Sequence, residues 1–375
     1  MTSAMPDNET PLVAADADLG SDDADVVAAE ESMGRSDRVS RETVTSFPHP
    51  QPGNSGPLDS ATAAVSRETF DTPIAREAMR AVQVRNVRNE VWPKPVATRI
   101  ITVANQKGGV GKTTTAVNLA VALAHHGLSV LLIDLDPQGN ASTAMGVAHH
   151  AGTPSVYDVL LGSSSLQDVA VPVEAAPGLR CVPATIDLAG ADIELASQVA
   201  REHRLRKAIS GYEPQADYIL IDCPPALGLL TLNALVAGKE ILIPIQCEYY
   251  ALEGLAQLLN TVELVRTQLN ATLDVSTVLL TMYDSRTRLA DQVADEVRQH
   301  FGAKVIRSVI PRNVRVSEAP GYGQTVMTYD AGSRGAVSYL EAARELAERG
   351  RPSPAEQDQP GGSSEHHNKG QGTQE

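Results

Sequence analysis

From Arg99 onward the chain alternates between two kinds of apolar patterning. Uninterrupted runs of aliphatic and β-branched residues occur at "RIITVAN" (99–105), "SVLLID" (129–134), "YILIDCPP" (218–225), "EILIPI" (240–245) and "VSTVLLT" (275–281). Such runs predict strands covered on both faces, as in a parallel sheet. Between them, apolar residues recur at helical spacing over 113–126, 187–209, 226–237, 252–270 and 289–301. The first of these, "TTTAVNLAVALAHH", is closed by Gly127, a helix-stop residue. Strand alternating with helix predicts an α/β fold, a mostly parallel twisted sheet flanked by helices on both faces and joined by right-handed crossovers. No internal repeat is visible.

The pattern fades at both ends. Residues 1–60 hold twelve acidic residues against three arginines (Arg35, Arg38, Arg41) and few large apolar groups. So little apolar surface cannot offset the entropy of ordering, and residues 1–66 are expected to be a disordered acidic extension. The tail over 350–375 reads the same way. Residues 67–96 are expected to be a short basic helical segment and linker. Thr72-Pro73 suits a helix start, and Ile74, Met79, Val82 and Val87 recur beside Arg76, Arg80, Arg85 and Arg88. That segment suits either a solvated helix packed on the core or one that docks a partner or nucleic acid. Trp92-Pro93-Lys94-Pro95 then leads into one domain over 97–349.

Charge changes the picture less than its size suggests. The formal net charge is −15, but residues 1–60 and 350–375 carry −11 of it, leaving −4 for the middle. Net charge therefore does not exclude DNA. Cys181, Cys223 and Cys247 are widely spaced, with no CxxC and no zinc-like histidine pattern. No apolar run approaches membrane-spanning length, and no basic region followed by an apolar run stands at the N-terminus. A soluble protein of a reducing, cytoplasmic compartment is expected.

The chemistry concentrates in "ANQKGGVGKTTTAV" (104–117). In a phosphate-binding loop, successive backbone N–H groups wrap a phosphate, glycines let the chain approach closely, and the next helix offers its N-terminus. Gly108, Gly109, Val110, Gly111, Lys112, Thr113 and Thr114 are the candidates here. Lys112 is placed to reach the β- and γ-phosphates, and the Thr113 hydroxyl to ligate Mg²⁺. The general motif begins with glycine; this chain has Gln106 there. A second lysine, Lys107, has no role in the general motif.

"KGGVGKTT" resembles the deviant Walker A loop of the ParA/MinD class of ATPases, and the chromosome-partitioning ParA/Soj branch in particular. In that class the early lysine reaches the nucleotide held by a partner chain, which would give Lys107 its purpose. "LLIDLDPQGNAS" (131–142) resembles the family's switch I, which implies that Asp136 orients the attacking water. "YILIDCPPALG" resembles a Walker B strand whose Asp222 holds Mg²⁺ through water. "IPIQCEYYALEGLAQL", "TMYDSRTRLADQVADEVRQHFG" and "VIPRNVRVSEAPGYGQTVMTYDAGSRGAVSYLEAA" extend the resemblance across the core. It places Pro311, Arg312 and Asn313 near the nucleotide base and assigns DNA contact to Arg286 and Arg315.

The resemblance implies an Mg²⁺-dependent ATPase with Lys107, Lys112 and Asp136 as catalytic residues. Its ATP-bound homodimer would bind double-stranded DNA nonspecifically on the nucleoid, and a ParB-type centromere-binding partner would reset it. Three rivals stand beside it. A MinD-like membrane switch needs a basic amphipathic C-terminal helix, whereas "AVSYLEAARELAERG" carries Glu341, Glu345 and Glu348. A redox ATPase needs bridging cysteines, for which Cys223 and Cys247 are the candidates. A P-loop metabolic enzyme such as a small-molecule kinase or amide ligase needs an acceptor pocket with no separate signal here.

Overall fold

The structure, a computed structural model, describes residues 90–213, 215–249 and 253–351, without the side chains of 253 and 254. The acidic extension, the basic segment up to residue 89 and the tail from residue 352 lie outside the described residues.

The described strands form a seven-stranded sheet. They are β1 (Arg99–Val103), β2 (Val130–Asp134), β3 (Val171–Pro172), β4 (Leu179–Val182), β5 (Tyr218–Asp222), β6 (Glu240–Gln246) and β7 (Asp274–Thr281). Their order is β3-β4-β2-β5-β1-β6-β7. β3 pairs antiparallel with β4 at one edge, and the other pairs are parallel. The five strands expected from apolar runs are the five found at the centre and the β7 edge. β3 and β4 were not expected: one is a two-residue exposed bridge, the other a short strand interrupted by Arg180.

Helices alternate with these strands: α1 (Lys112–His125), α2 (Asn140–Ala144), α3 (Val156–Leu161), α4 (Leu166–Val169), α5 (Ala191–Ala196), α6 (Arg204–Ser210), α7 (Leu229–Ala237), α8 (Glu253–Gln268), α9 (Arg288–Phe301), α10 (Val314–Glu318), α11 (Val326–Tyr329) and α12 (Arg334–Arg349). Successive strand side chains point to opposite faces, so each apolar run feeds two cores. Ile101, Val103, Leu132, Leu220, Leu242 and Leu279 pack under α1 and α12. Ile100, Leu131, Ile133, Ile219, Ile221 and Ile243 pack under α3, α6, α7, α8 and α9. Trp92 is also buried, its ring stacked on His126 at 3.8 Å, so the packing reaches back beyond residue 97.

α1 ends as its sequence predicts. Gly127 adopts φ +82, the Gly127 N–H donates to the Ala124 carbonyl at 3.0 Å and the Leu128 N–H to the Leu123 carbonyl at 3.3 Å. This pair of bonds satisfies the last carbonyls of the helix. The helix expected over 187–209 is instead broken. A 3₁₀ turn (Ile186–Gly190) and α5 are separated from a second 3₁₀ turn (Arg201–His203) and α6. Ala200 sits at φ +52, where a helix cannot continue. Ile193 and Val199, within that range, are 80% and 88% exposed.

Candidate functional site: a phosphate-binding cleft

β1, β2 and β5 end level at Val103, Asp134 and Asp222, and β6 and β7 run on beyond them to Gln246 and Thr281; this is the edge at which open α/β sheets bind ligands. The loop over 104–111 is fastened there. Asn105 Nδ2 donates to the Pro244 carbonyl at 2.8 Å, and Thr281 Oγ1 donates to the Val110 carbonyl at 2.9 Å. Gly109 and Gly111 adopt φ +73 and +86, a region that other residues enter only under strain. Gly108 has no such backbone demand, and a Cβ placed on it would meet no protein atom. Its missing side chain leaves open space on the loop's concave side.

That space opens into a cleft of about 700 Å³, whose walls include Gly108, Lys112, Thr113, Asp136, Met282 and Pro320. Lys112 is 7% exposed and its Nζ donates to the Lys107 carbonyl at 3.3 Å. Burial pulls its pKa down, and the charge of Asp222, followed by that of Asp136, partly opposes that pull. An amine held this way is desolvated and aimed into the cleft, ready to gain from an anion.

Asp222 ends β5 fully buried. Neither of its carboxylate oxygens has a well-formed hydrogen bond in the protein, although the Thr113 hydroxyl lies close enough to favour its ionised form. Burial, followed by the neighbouring Asp134 charge, pushes its pKa well up; Thr113 and Lys112 act against that. Two unsatisfied buried oxygens carry a large desolvation cost. With the Thr113 hydroxyl beside them, they form an oxygen donor set suited to a hard divalent cation and its waters. The residues present therefore fit both a polyphosphate and Mg²⁺.

Asp134, the register partner of Asp222 on the neighbouring strand, was not singled out in the sequence, yet it organises the segment that carries Asp136. Its Oδ2 accepts from Ser142 Oγ at 2.7 Å and Ser142 N at 2.8 Å, and its Oδ1 accepts from Asp136 N at 3.2 Å. Ser142 Oγ also accepts from Ala184 N at 3.1 Å. Burial raises the Asp134 pKa to about 6, and the Ser142 bonds restrain the rise. This pin sets the turn that carries Asp136, which is 8% exposed and lines the cleft. Its Oδ1 accepts from Gln138 N at 3.0 Å. Met282, also unforeseen, lines the cleft at φ +51, a non-glycine residue in a strained conformation.

The structure does not bring every candidate here. Val110 is buried, its carbonyl held by Thr281, and Thr114 joins the cleft wall. Pro311 and Asn313 do not line the cleft. Pro311 bridges to Tyr283, and Asn313 caps α10 by accepting from Arg315 N at 2.8 Å. Lys107 Nζ lies 3.9 Å from Glu248. Arg286 is 84% exposed and donates to both oxygens of Asp284, at 2.9 and 2.8 Å. Arg315 pairs with Glu318 at 2.9 Å and Asp330 at 3.5 Å.

The rival sites fare poorly. Burial pushes the Cys181 and Cys223 thiols well up and Cys247 to about 11, so all three stay protonated at neutral pH. The apolar face of α12 is spent on the core through Tyr339, Leu340, Ala343 and Leu346, which leaves it nothing for a lipid surface. No described helix is long and apolar enough to cross a membrane.

Fold and cleft together define a P-loop nucleotide-binding protein whose loop carries an additional lysine. A family model described as an AAA domain matches residues 98–275. The sporulation initiation inhibitor protein Soj of Bacillus subtilis is 52% identical over 252 residues, covering 67% of this chain and 99% of Soj. The chromosome partitioning protein ParA of Caulobacter vibrioides is 51% identical over 255 residues, covering 68% and 95%. The chain belongs to this Soj/ParA family of chromosome-partitioning ATPases. Among solved structures, cobyrinic acid a,c-diamide synthase from Mycobacterium smegmatis with a bound ATP analogue and magnesium is 38% identical. It matches with a TM-score of 0.57 over 67% of this chain and 93% of that one.

Proposed function

We propose that this chain is an Mg²⁺-dependent ATPase that partitions DNA. Two ATP-loaded copies close face to face, bind duplex DNA without reading its sequence, and part after hydrolysis stimulated by a ParB-type centromere-binding partner. The observation that carries the reading is the buried Asp222, without a well-formed hydrogen bond, close to Lys112, Thr113 and Asp136, three residues that line the cleft, in a chain about half identical to partition proteins.

Backbone N–H groups of 108–113 hold the phosphates, and Lys112 offsets charge on the β- and γ-phosphate oxygens. Thr113 and, through water, Asp222 would hold the magnesium ion. Bound magnesium supplies further neutralisation of the charge that develops between these oxygens. Asp136 orients the water that attacks the γ-phosphorus, and Lys107 reaches the nucleotide of the partner copy. Arg286 and Arg315 contact DNA phosphates, which gives affinity without sequence preference and places the dimer on the nucleoid. Dimer formation doubles those contacts, coupling ATP to DNA through avidity.

The test is binding to nonspecific duplex DNA across a salt titration with ATP, ADP or no nucleotide. Only ATP should promote binding. Asp136→Ala should retain it, Lys107→Ala should lose it, and Arg315→Ala should weaken it. Absence of binding in every nucleotide state, even at low salt, would refute the DNA role.

A further inference from the structure

Glu248, just beyond the end of β6, makes a contact to which the reaction as described assigns no role. Its backbone N–H donates to the Gln246 carbonyl at 2.8 Å, and its Oε1 accepts from Gln246 Nε2 at 2.6 Å. These bonds fix the carboxylate at the mouth of the phosphate-binding loop. Arg312 donates to the same Oε1 at 3.0 Å. The other oxygen, Oε2, faces Lys107 Nζ at 3.9 Å. One carboxylate thus stands between a cation on the 311–313 loop and the additional lysine of the phosphate loop.

The rest of Lys107 is held in place. Its N–H donates to Asn105 Oδ1 at 3.0 Å and its carbonyl accepts from Lys112 Nζ. Only its side chain is at liberty to change partner, and that change leaves the loop that wraps the phosphates intact. When Lys107 departs, Arg312 still compensates Glu248, so no charge is stranded. Lys107 and Glu248 are 33% and 45% exposed. A pair this open is weak and screened by salt, hence readily exchanged for a phosphate.

We propose that Glu248 is a positioning residue that parks Lys107 against its own chain and thereby sets the ATP concentration at which two copies close. The proposal rests on the reading of Lys107 as the lysine that serves the partner's nucleotide. Each closing dimer releases two such pairs. If one is worth about threefold in the closing equilibrium, the two together are worth about tenfold. Arg312 tempers the latch: without it, Glu248 holds Lys107 more firmly.

The experiment is sedimentation equilibrium of the full chain across an Mg-ATP titration, in an Asp136→Ala background that holds ATP unhydrolysed. Glu248→Gln should dimerise at about tenfold lower protein concentration, or about threefold lower ATP because two nucleotides enter each dimer, and the gain should shrink as salt rises. Arg312→Ala should act in the opposite direction, and its effect should vanish when combined with Glu248→Gln. A purely structural Glu248 would give neither the gain nor the salt dependence. Dimerisation in the parent with unchanged or weaker closure in Glu248→Gln overturns the latch alone. No ATP-dependent dimer in the parent overturns the dimer reading, and the latch with it.

Discussion

Asp134 and Asp222 are register partners on adjacent parallel strands, both fully buried, at the point where β2 and β5 run out beneath the phosphate-binding loop. Two carboxylates so placed repel one another and lack water, and burial is the leading reason both pKa values are raised. The chain folds around a locally unfavourable pair because Lys112, Thr113 and the Ser142 bonds moderate it. A divalent cation would relieve the rest. Stability given up at a site in this way is a common feature of functional clefts.

Asp222→Asn should therefore make the nucleotide-free protein more stable while abolishing magnesium-dependent turnover. The gain is about 1.4 kcal/mol for each pKa unit of displacement relieved. The sign with pH follows from the raised values. The folded protein binds protons more tightly than the unfolded chain, so this stabilising contribution is complete below the unfolded aspartate value. For Asp134 it is lost as pH rises through about 6. Urea unfolding between pH 4 and 8, without magnesium, should show that decline in the parent and a flatter profile in Asp222→Asn. A lower midpoint for the variant at neutral pH would refute the account.

Ser142→Ala removes the hydroxyl that ties Asp134 to Ala184 N. Two buried partners would be left short of a bond, at a cost of roughly 1–3 kcal/mol. The more telling effect is on the turn that carries Asp136. Nucleotide affinity should hold within a few-fold while the hydrolysis rate falls at least about tenfold, since the groups that hold the phosphates lie elsewhere. Single-turnover hydrolysis beside direct nucleotide binding separates the two; equal losses in both would contradict this assignment.

Arg99 and Glu240 form a two-pronged ion pair between β1 and β6, with hydrogen bonds at 2.7 and 2.6 Å. Arg99 also donates to the Leu346 carbonyl on α12. Burial works to raise the Glu240 pKa, but hydrogen bonding and the Arg99 charge outweigh it and leave the value below the ordinary range. The stability it contributes is present above the unfolded glutamate pKa and lost as pH falls through the lower folded value. Glu240→Gln should cost about 3 kcal/mol at neutral pH, because the arginine is left buried without its charge partner. The deficit should narrow in acid. A deficit independent of pH would point to packing instead.

Much of this molecule was legible before its structure, for reasons visible residue by residue. The strands at 99, 130, 218, 240 and 274 announce themselves because a strand covered on both faces must be apolar throughout. β4 carries only four residues around Arg180, too little pattern to register. Lys112 and Thr113 sit in a compact motif whose chemistry fixes its own spacing, Asp136 came from a family resemblance over 131–142, and the structure sets all three around one cleft. The Asp134–Ser142 pin and the Glu248–Lys107 pair depend instead on strand register and loop position. Met282 depends on a backbone conformation that no side-chain pattern signals. The break in the helix expected over 187–209 also depends on a backbone conformation, that of Ala200 at φ +52.

Arg315, proposed to contact DNA, is already engaged by two carboxylates, Glu318 at 2.9 Å and Asp330 at 3.5 Å. Both are half-buried acids whose own charge repels a phosphate backbone, so DNA must compete with them for the guanidinium. Glu318→Gln should therefore tighten ATP-dependent binding to nonspecific duplex, and the gain should be largest at low salt, where exposed charges are least screened. Arg315→Ala should weaken binding to all sequences equally. It should also lower the slope of log affinity against log salt by about one for each phosphate no longer neutralised, or about two for a dimer. Arg286, held in both prongs by Asp284 alone, should respond in parallel to Asp284→Asn. Fluorescence anisotropy with a labelled random-sequence duplex at several salt concentrations reads all of these. An unchanged slope in Arg315→Ala would place the DNA-binding surface elsewhere on the molecule.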